Sequence, residues 1–216
     1  KDEATVIPLQ NGADNAVRLS EILPRENVIG GLCRIVSKIE SPGVIDHFGY
    51  EPEIVFGEID NSLSKRVINI NKVFDKAGFK NRNSENIQRD IWIKFLFIAS
   101  ISAAGALTRS VLGVMREDPF LRDILIQTAK EIILIGQKLG VELHEGDLKK
   151  CFEIIDSLDY DTTMSLQRDM MEGKPSELDQ FNGYIVKQGD LLGVDTPMND
   201  FIYYSLKPME EKARKK

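Results

Sequence analysis

The chain has 216 residues, 42% of them hydrophobic and 29% charged, a globular composition that excludes a disordered or fibrous protein. Its formal net charge of -6 excludes a protein that grips nucleic acid through its overall field. Residues 91–107 are almost free of charge, but they are short for a membrane span and carry a lysine, so a core helix is expected and no membrane partner.

The first third alternates. Residues 5–9 read as a short buried strand ending in the turn Gln10-Asn11-Gly12, and residues 13–23 as a helix stopped by Pro24. Residues 28–39 are rich in β-branched side chains and read as a strand, with Gly30-Gly31 marking a bulge. Two further strands are expected at 43–48 and 53–59. The apolar stripe Val67, Ile68, Ile70, Val73 and Phe74 predicts a helix over 63–77, with Gly78 in the position that closes it.

From Ser84 onward the texture is helical. Ser84 and Glu85 suit the start of a helix running to about 107. Further helices are expected over 119–139, 144–158, 162–172, 176–192 and 197–212, the fourth of these capped by Gly193 and the last opened by Pro197. The terminal cluster Lys212, Arg214, Lys215 and Lys216 fits the cation-favouring end of that last helix. The expected fold class is therefore α/β followed by all-α, with domains at 1–83 and 84–216.

Cys33 and Cys151 lie far apart, outside any CxxC or Cys/His spacing, and read as buried small apolar residues in a reducing, cytoplasmic setting. With His47 and His144 as the only histidines, no metal site is predicted. His144 and Glu145 read as capping chemistry. No G-x-G-x-x-G occurs, so the chain as it stands offers no phosphate-cradling loop. Because the strands alone would make a lopsided sheet and the first residue is Lys1, the chain is expected to be a fragment lacking an N-terminal segment.

Lys94 stands out, because an ammonium in an apolar helix is costly unless it is compensated. Positions 94, 98, 102 and 105 share one helical face and present Lys94, Ile98, Ser102 and Gly105, with the glycine leaving room for a ligand or another helix. From spacing alone, a lysine near a helix start whose amine reaches water is the favoured account. Likewise Ser176 and Glu177 read locally as cap chemistry in the first turn of a helix, Asp169 as a solvated charge, and Met170 and Met171 as core filler.

Four segments occur in order: PLQNG at 8–12, WIKFL at 92–96, Ser165 followed by GKPSELD at 173–179 with Asn182-Gly183, and GVDTPMN at 193–199. Together they resemble the successive motifs of the ketopantoate reductase (2-dehydropantoate 2-reductase) family, beginning after that family's nucleotide-binding βαβ units. The resemblance implies the second half of a Rossmann-type domain followed by a helical domain like that of 6-phosphogluconate dehydrogenase. It further implies a cofactor, NADPH, whose binding loop is expected upstream of Lys1. The implied reaction is reduction of a small-molecule 2-oxo acid, in pantothenate synthesis or on a related ketone, within a cleft that excludes water as the domains close.

By the same resemblance Lys94 is the general acid, Ser102, Ser165 and Glu177 bind substrate, and Asn11 lies at the cofactor. A homodimer is left open as the assembly. The fragment alone is expected to be inactive. Family members with pantoate activity usually carry asparagine one and two turns after the lysine, where this chain has Ile98 and Ser102. That departure leaves the substrate open and keeps in view an alternative from another class, a non-catalytic helical module for assembly or regulation. A 6-phosphogluconate-dehydrogenase-like enzyme shares the layout, but none of its motifs is present.

Overall fold

A computed structural model describes residues 4–215, which divide into two compact units between Ile91 and Trp92. The division falls inside one long helix, whereas the composition change at 83/84 lies just before it.

In the first unit, the segment expected as a strand at 5–9 is extended but makes a single parallel bridge, Val6 to Val28, with Ile29 N donating to Val6 O at 3.1 Å. A tight loop leads to α1 (Asn15–Ser20), shorter than expected, and a 3-10 turn follows at Arg25–Asn27. The expected strand over 28–39 is two strands, β1 (Gly30–Arg34) and β2 (Ser37–Ser41), which belong to different sheets. Strand β2 pairs only with β3 (Val44–His47), as an antiparallel hairpin exposed along its whole length. Strand β1 pairs antiparallel with β4 (Glu53–Gly57) in unbroken register.

That register corrects the bulge at Gly30-Gly31. The glycines are there for close approach: a Cβ on Gly30 would stand 2.6 Å from Ile87 Cγ1, and one on Gly31 would stand 2.5 Å from Ile7 Cγ2. A strand missed by the sequence reading, β5 (Lys80–Asn83), lies parallel to β4. Its polar residues, KNRN, carry no apolar alternation; it is recruited through backbone pairing at the sheet edge.

Helix α2 (Lys65–Ala77) connects β4 to β5, so this part is a βαβ crossover, the building block of Rossmann-type sheets. Ser64 caps the helix through Val67 N, and Gly78 closes it at φ 78°. Its stripe lays Val67, Ile70 and Phe74 against Ile29, Ile54 and Phe56 of the strands.

The crossover is pinned electrostatically. Glu58, at the end of β4, accepts from Arg66 Nε at 2.6 Å and from Ser64 Oγ. Hydrogen bonding from Arg66 holds the Glu58 carboxyl below its usual range, against the opposing pull of burial. A lowered folded-state pKa stabilises above the unfolded value and is lost as pH falls through the folded one. Glu58→Gln is therefore expected to cost stability near neutrality and nothing once the pH is well below about 4. Urea unfolding of both proteins at pH 7 and pH 3 checks this through the convergence of their midpoints.

The long helix α3 (Ile87–Thr108) begins three residues later than expected. Asn86 is the capping side chain, accepting from Arg89 N at 3.0 Å, while Ser84 donates to Asp90 and accepts from Asn86 N. By length and composition α3 could cross a membrane, but 72% of its apolar window is buried inside the protein.

In the second unit α3 is surrounded. The short helix α4 (Leu112–Glu117), also missed, is held by tertiary bonds from Leu112 N to Thr162 O and Gly113 N to Tyr160 O. Helix α5 (Pro119–Lys138) starts on Asp118, which accepts from Phe120 N and Leu121 N. At the start of α6 (Glu145–Ser157), His144 is exposed and its backbone N–H donates to Asp147 Oδ2. Helices α7 (Ser165–Met171), α8 (Asn182–Leu192) and α9 (Pro197–Arg214) complete the unit. Helix α8 begins at Asn182, not at 176, because residues 177–181 form separate turns.

Neither cysteine forms a disulfide; Cys33 is half-buried rather than buried, while burial pushes the Cys151 thiol up to about 12, so Cys151 is an inert apolar residue. Met170 is in the core, but Met171 is exposed.

Candidate active site

Lys94 is half-buried in the first half of α3. The residues around it in sequence fix that turn of helix. Trp92 and Phe95 sit on one face, with ring centroids 5.5 Å apart. Phe95 meets Phe181 edge-on at 6.0 Å, and both Trp92 and Phe95 meet Tyr184, at 6.2 and 6.1 Å. This four-ring cluster clamps the Lys94 turn against the start of α8. The chain just before α8 therefore approaches the same turn, and that chain carries Glu177.

Glu177 is half-buried and its carbonyl accepts from Phe181 N at 3.0 Å, which ties it to the aromatic clamp. It occupies a turn rather than the first turn of a helix, so the helix-dipole reading of it is corrected. Its neighbour Ser176 anchors the segment. Ser176 N and Oγ both donate to the carboxylate of Glu210, Oγ at 2.6 Å, and Ser176 O accepts from Arg214 Nη2 at 2.9 Å. Glu210 is only 2% exposed.

Ser102 stands two turns beyond Lys94 on α3, about 12 Å along the axis at 1.5 Å per residue. It is 1% exposed, and its hydroxyl donates back to Ile98 O at 2.5 Å. Gly105, on the same face, is covered: a Cβ there would stand 2.6 Å from Gln167 Oε1 of α7. The gap seen in the sequence thus admits a helix. Ser165 is exposed at the first position of that helix. Asp169, read as solvated, is half-buried, and burial raises its carboxyl.

The motif asparagines have a structural role. Asn182 Nδ2 donates to Asn199 Oδ1 at 2.9 Å, and Asn199 donates to Glu131 Oε2 at 2.7 Å. Glu131 also accepts from Met198 N and Asn199 N, closing the start of α9. Sequence reading missed Glu131 and Glu210. For Glu210 the signal was its spacing from Leu206 and Ala213, which puts a carboxylate on the buried stripe of α9.

Asn11 belongs to the first unit and is half-buried in the loop after the extended segment, its carbonyl accepting from Asn15 Nδ2 at 3.0 Å. Loops at the carboxyl ends of such segments are where open α/β sheets bind ligands. A glycine-rich phosphate cradle has no counterpart in the sequence. Among the described residues, no cluster of three or more His, Cys, Asp or Glu could hold a metal ion. An open groove of about 630 Å³ lined by α8 and α9 residues such as Gly183, Lys187, Tyr203 and Lys207 includes none of the predicted site residues.

Residues 86–210 match the family described as ketopantoate reductase PanE/ApbA C terminal, and residues 1–61 match ketopantoate reductase PanE/ApbA. An uncharacterized oxidoreductase, YkpB of Bacillus subtilis, is 28% identical over 208 residues, 96% of this chain and 69% of its own. The 2-dehydropantoate 2-reductase of Pyrococcus abyssi is 28% identical over 211 residues, covering 98% of this chain and 69% of the relative. A solved PanE/ApbA family ketopantoate reductase from Ralstonia eutropha superposes with a TM-score of 0.87 at 25% identity, covering 98% of this chain and 68% of that one. A βαβ unit followed by a helical unit built around the Lys94 helix is thus the shared architecture, and the chain belongs to the ketopantoate reductase family of oxidoreductases.

Proposed function

We propose that the protein reduces the ketone of a 2-oxo acid to an alcohol in the cytoplasm, with NADPH as the reductant and Lys94 as the general acid. The observation that carries this reading is the clamp around Lys94. An ammonium half-buried in an apolar helix, with the Glu177 segment tied to the same aromatic cluster, supports a chemical role for Lys94 over simple solvation.

A reduced nicotinamide, when bound, supplies the hydride. As the ketone carbon is reduced, its oxygen gathers negative charge. Lys94 stabilises that charge and transfers a proton to the oxygen, leaving a neutral amine that is reprotonated from solvent. Ser165, exposed at the first turn of α7, donates its hydroxyl to the substrate carboxylate. Glu177 orients the substrate as an acceptor. Asn11 contacts the cofactor with its side-chain amide. Ser102, whose hydroxyl is bonded within α3, shapes the wall without reaching out.

Oxidation of NADPH by the full-length protein, followed at 340 nm with a panel of 2-oxo acids, tests the reading. Turnover with at least one acid and none with simple aldehydes is the expected result. No turnover with any 2-oxo acid would remove the assignment.

A further inference from the structure

Resting on that reading, we infer that Arg168 is a further substrate-binding residue, which pairs with the carboxylate of the 2-oxo acid beside Ser165. Helix α7 buries Leu166, Gln167 and Met170, and the face it leaves exposed carries Ser165 and Arg168. These two stand at i and i+3, with Cβ atoms about 5–6 Å apart. Helical side chains lean toward the N-terminus, and Arg168 does so: its Nη1 donates to Thr163 O and, at 3.2 Å, to Thr163 Oγ1. The guanidinium is thus held over the turn that leads into Ser165.

That hold uses one corner of the fork. Among the described residues nothing accepts from Nε or Nη2, the edge that matches a carboxylate with two parallel hydrogen bonds. Nor is the charge closed off nearby. Glu172, one turn on, pairs with Lys174 at 2.5 Å, and Asp169 is half-buried and forms no ion pair with Arg168 among the described residues. Arg66 and Arg122, by contrast, are each closed by a carboxylate, from Glu58 and Asp156. A 2-oxo acid carries a full negative charge next to its ketone, whereas a serine hydroxyl offers only a neutral donor. With the Lys94 ammonium assigned to the ketone oxygen, a guanidinium beside Ser165 is the cation that matches the carboxylate. A charge-assisted bond of this kind is about twice as strong as a neutral one.

Comparing acids with their esters in the full-length protein tests this. The probes are pyruvate, 3-methyl-2-oxobutanoate and phenylglyoxylate, each beside its methyl ester, which keeps the ketone and removes the charge. For the acid that turns over best, Arg168→Ala is expected to raise KM by roughly 10- to 100-fold, the loss of a hydrogen bond to a charged group. Both kcat for that acid and kcat/KM for its ester should move far less. Calorimetric titration of the same acid into enzyme carrying oxidised cofactor should show the same order in Kd. Arg168→Gln separates charge from local structure, because its amide can still donate to Thr163 O. Its KM should rise as in the alanine variant, and circular dichroism checks that both variants are folded. An unchanged KM in Arg168→Ala, or an equal rise for acid and ester, overturns the inference and leaves the reductase reading intact. A glutamine variant that matches the unaltered protein does the same. Failure of the unaltered protein to turn over any 2-oxo acid overturns both.

Discussion

Lys94→Ala in the full-length protein is expected to lower kcat by about 10²- to 10⁴-fold, the usual contribution of a positioned general acid. NADPH affinity should change little, because the role proposed for Lys94 is at the ketone oxygen and not at the nucleotide. The fold should survive, since Lys94 is half-buried and the clamp around it is formed by Trp92, Phe95, Phe181 and Tyr184. Lys94→Arg should also be slow. A guanidinium keeps the positive charge but does not give up its proton near neutral pH. A small alkylamine added to the alanine variant should recover part of the lost rate, which a purely structural lysine would not allow. Single-turnover kinetics decide the matter, and a kcat near that of the unaltered protein would sink the acid role.

Glu210→Ala carries the largest expected effect on stability. Its carboxylate accepts from Ser176 N and Oγ and pairs with Arg214 at 2.7 Å. Truncation would leave the Ser176 donors unpaired in a site that is 7% exposed. Unmade buried hydrogen bonds of this kind cost roughly 2–4 kcal/mol together. The Arg214 guanidinium is 45% exposed, so its ion pair adds little to that sum. For a protein of this size the loss corresponds to about 5–10 °C in Tm. Because Ser176 immediately precedes Glu177, KM should also rise at temperatures where the variant is folded. Glu210→Gln, which retains an acceptor, should recover about half of the stability. Thermal unfolding and steady-state kinetics on the three proteins test both effects.

The helices were legible wherever their caps and stripes were local. Gly78 and Gly193 each mark an end that the structure keeps. Helix α4 was not legible, because tertiary bonds to residues 160 and 162 hold it. Nor was β5, whose polar sequence joins the sheet only because α2 delivers it parallel to β4. The strand over 28–39 failed for a related reason: β-branched residues favour extended backbone without saying which partner it takes. Gly30 and Gly31 drew attention correctly but for the wrong cause, since the neighbours they admit, Ile87 and Ile7, are distant in sequence.

By itself, the sequence determined the α/β-then-helical order and the anomaly of Lys94, because periodicity, caps and an isolated charge are properties of short windows. The tertiary structure alone decided what surrounds that lysine. An aromatic clamp from α8 holds its turn, and a buried carboxylate on α9 anchors the Glu177 segment. The Ser102 hydroxyl, which had seemed to offer a donor, is bonded to its own helix. The clamp joins Phe95 to Phe181 and the anchor joins Ser176 to Glu210, residues far apart in sequence that only packing brings within reach of one another.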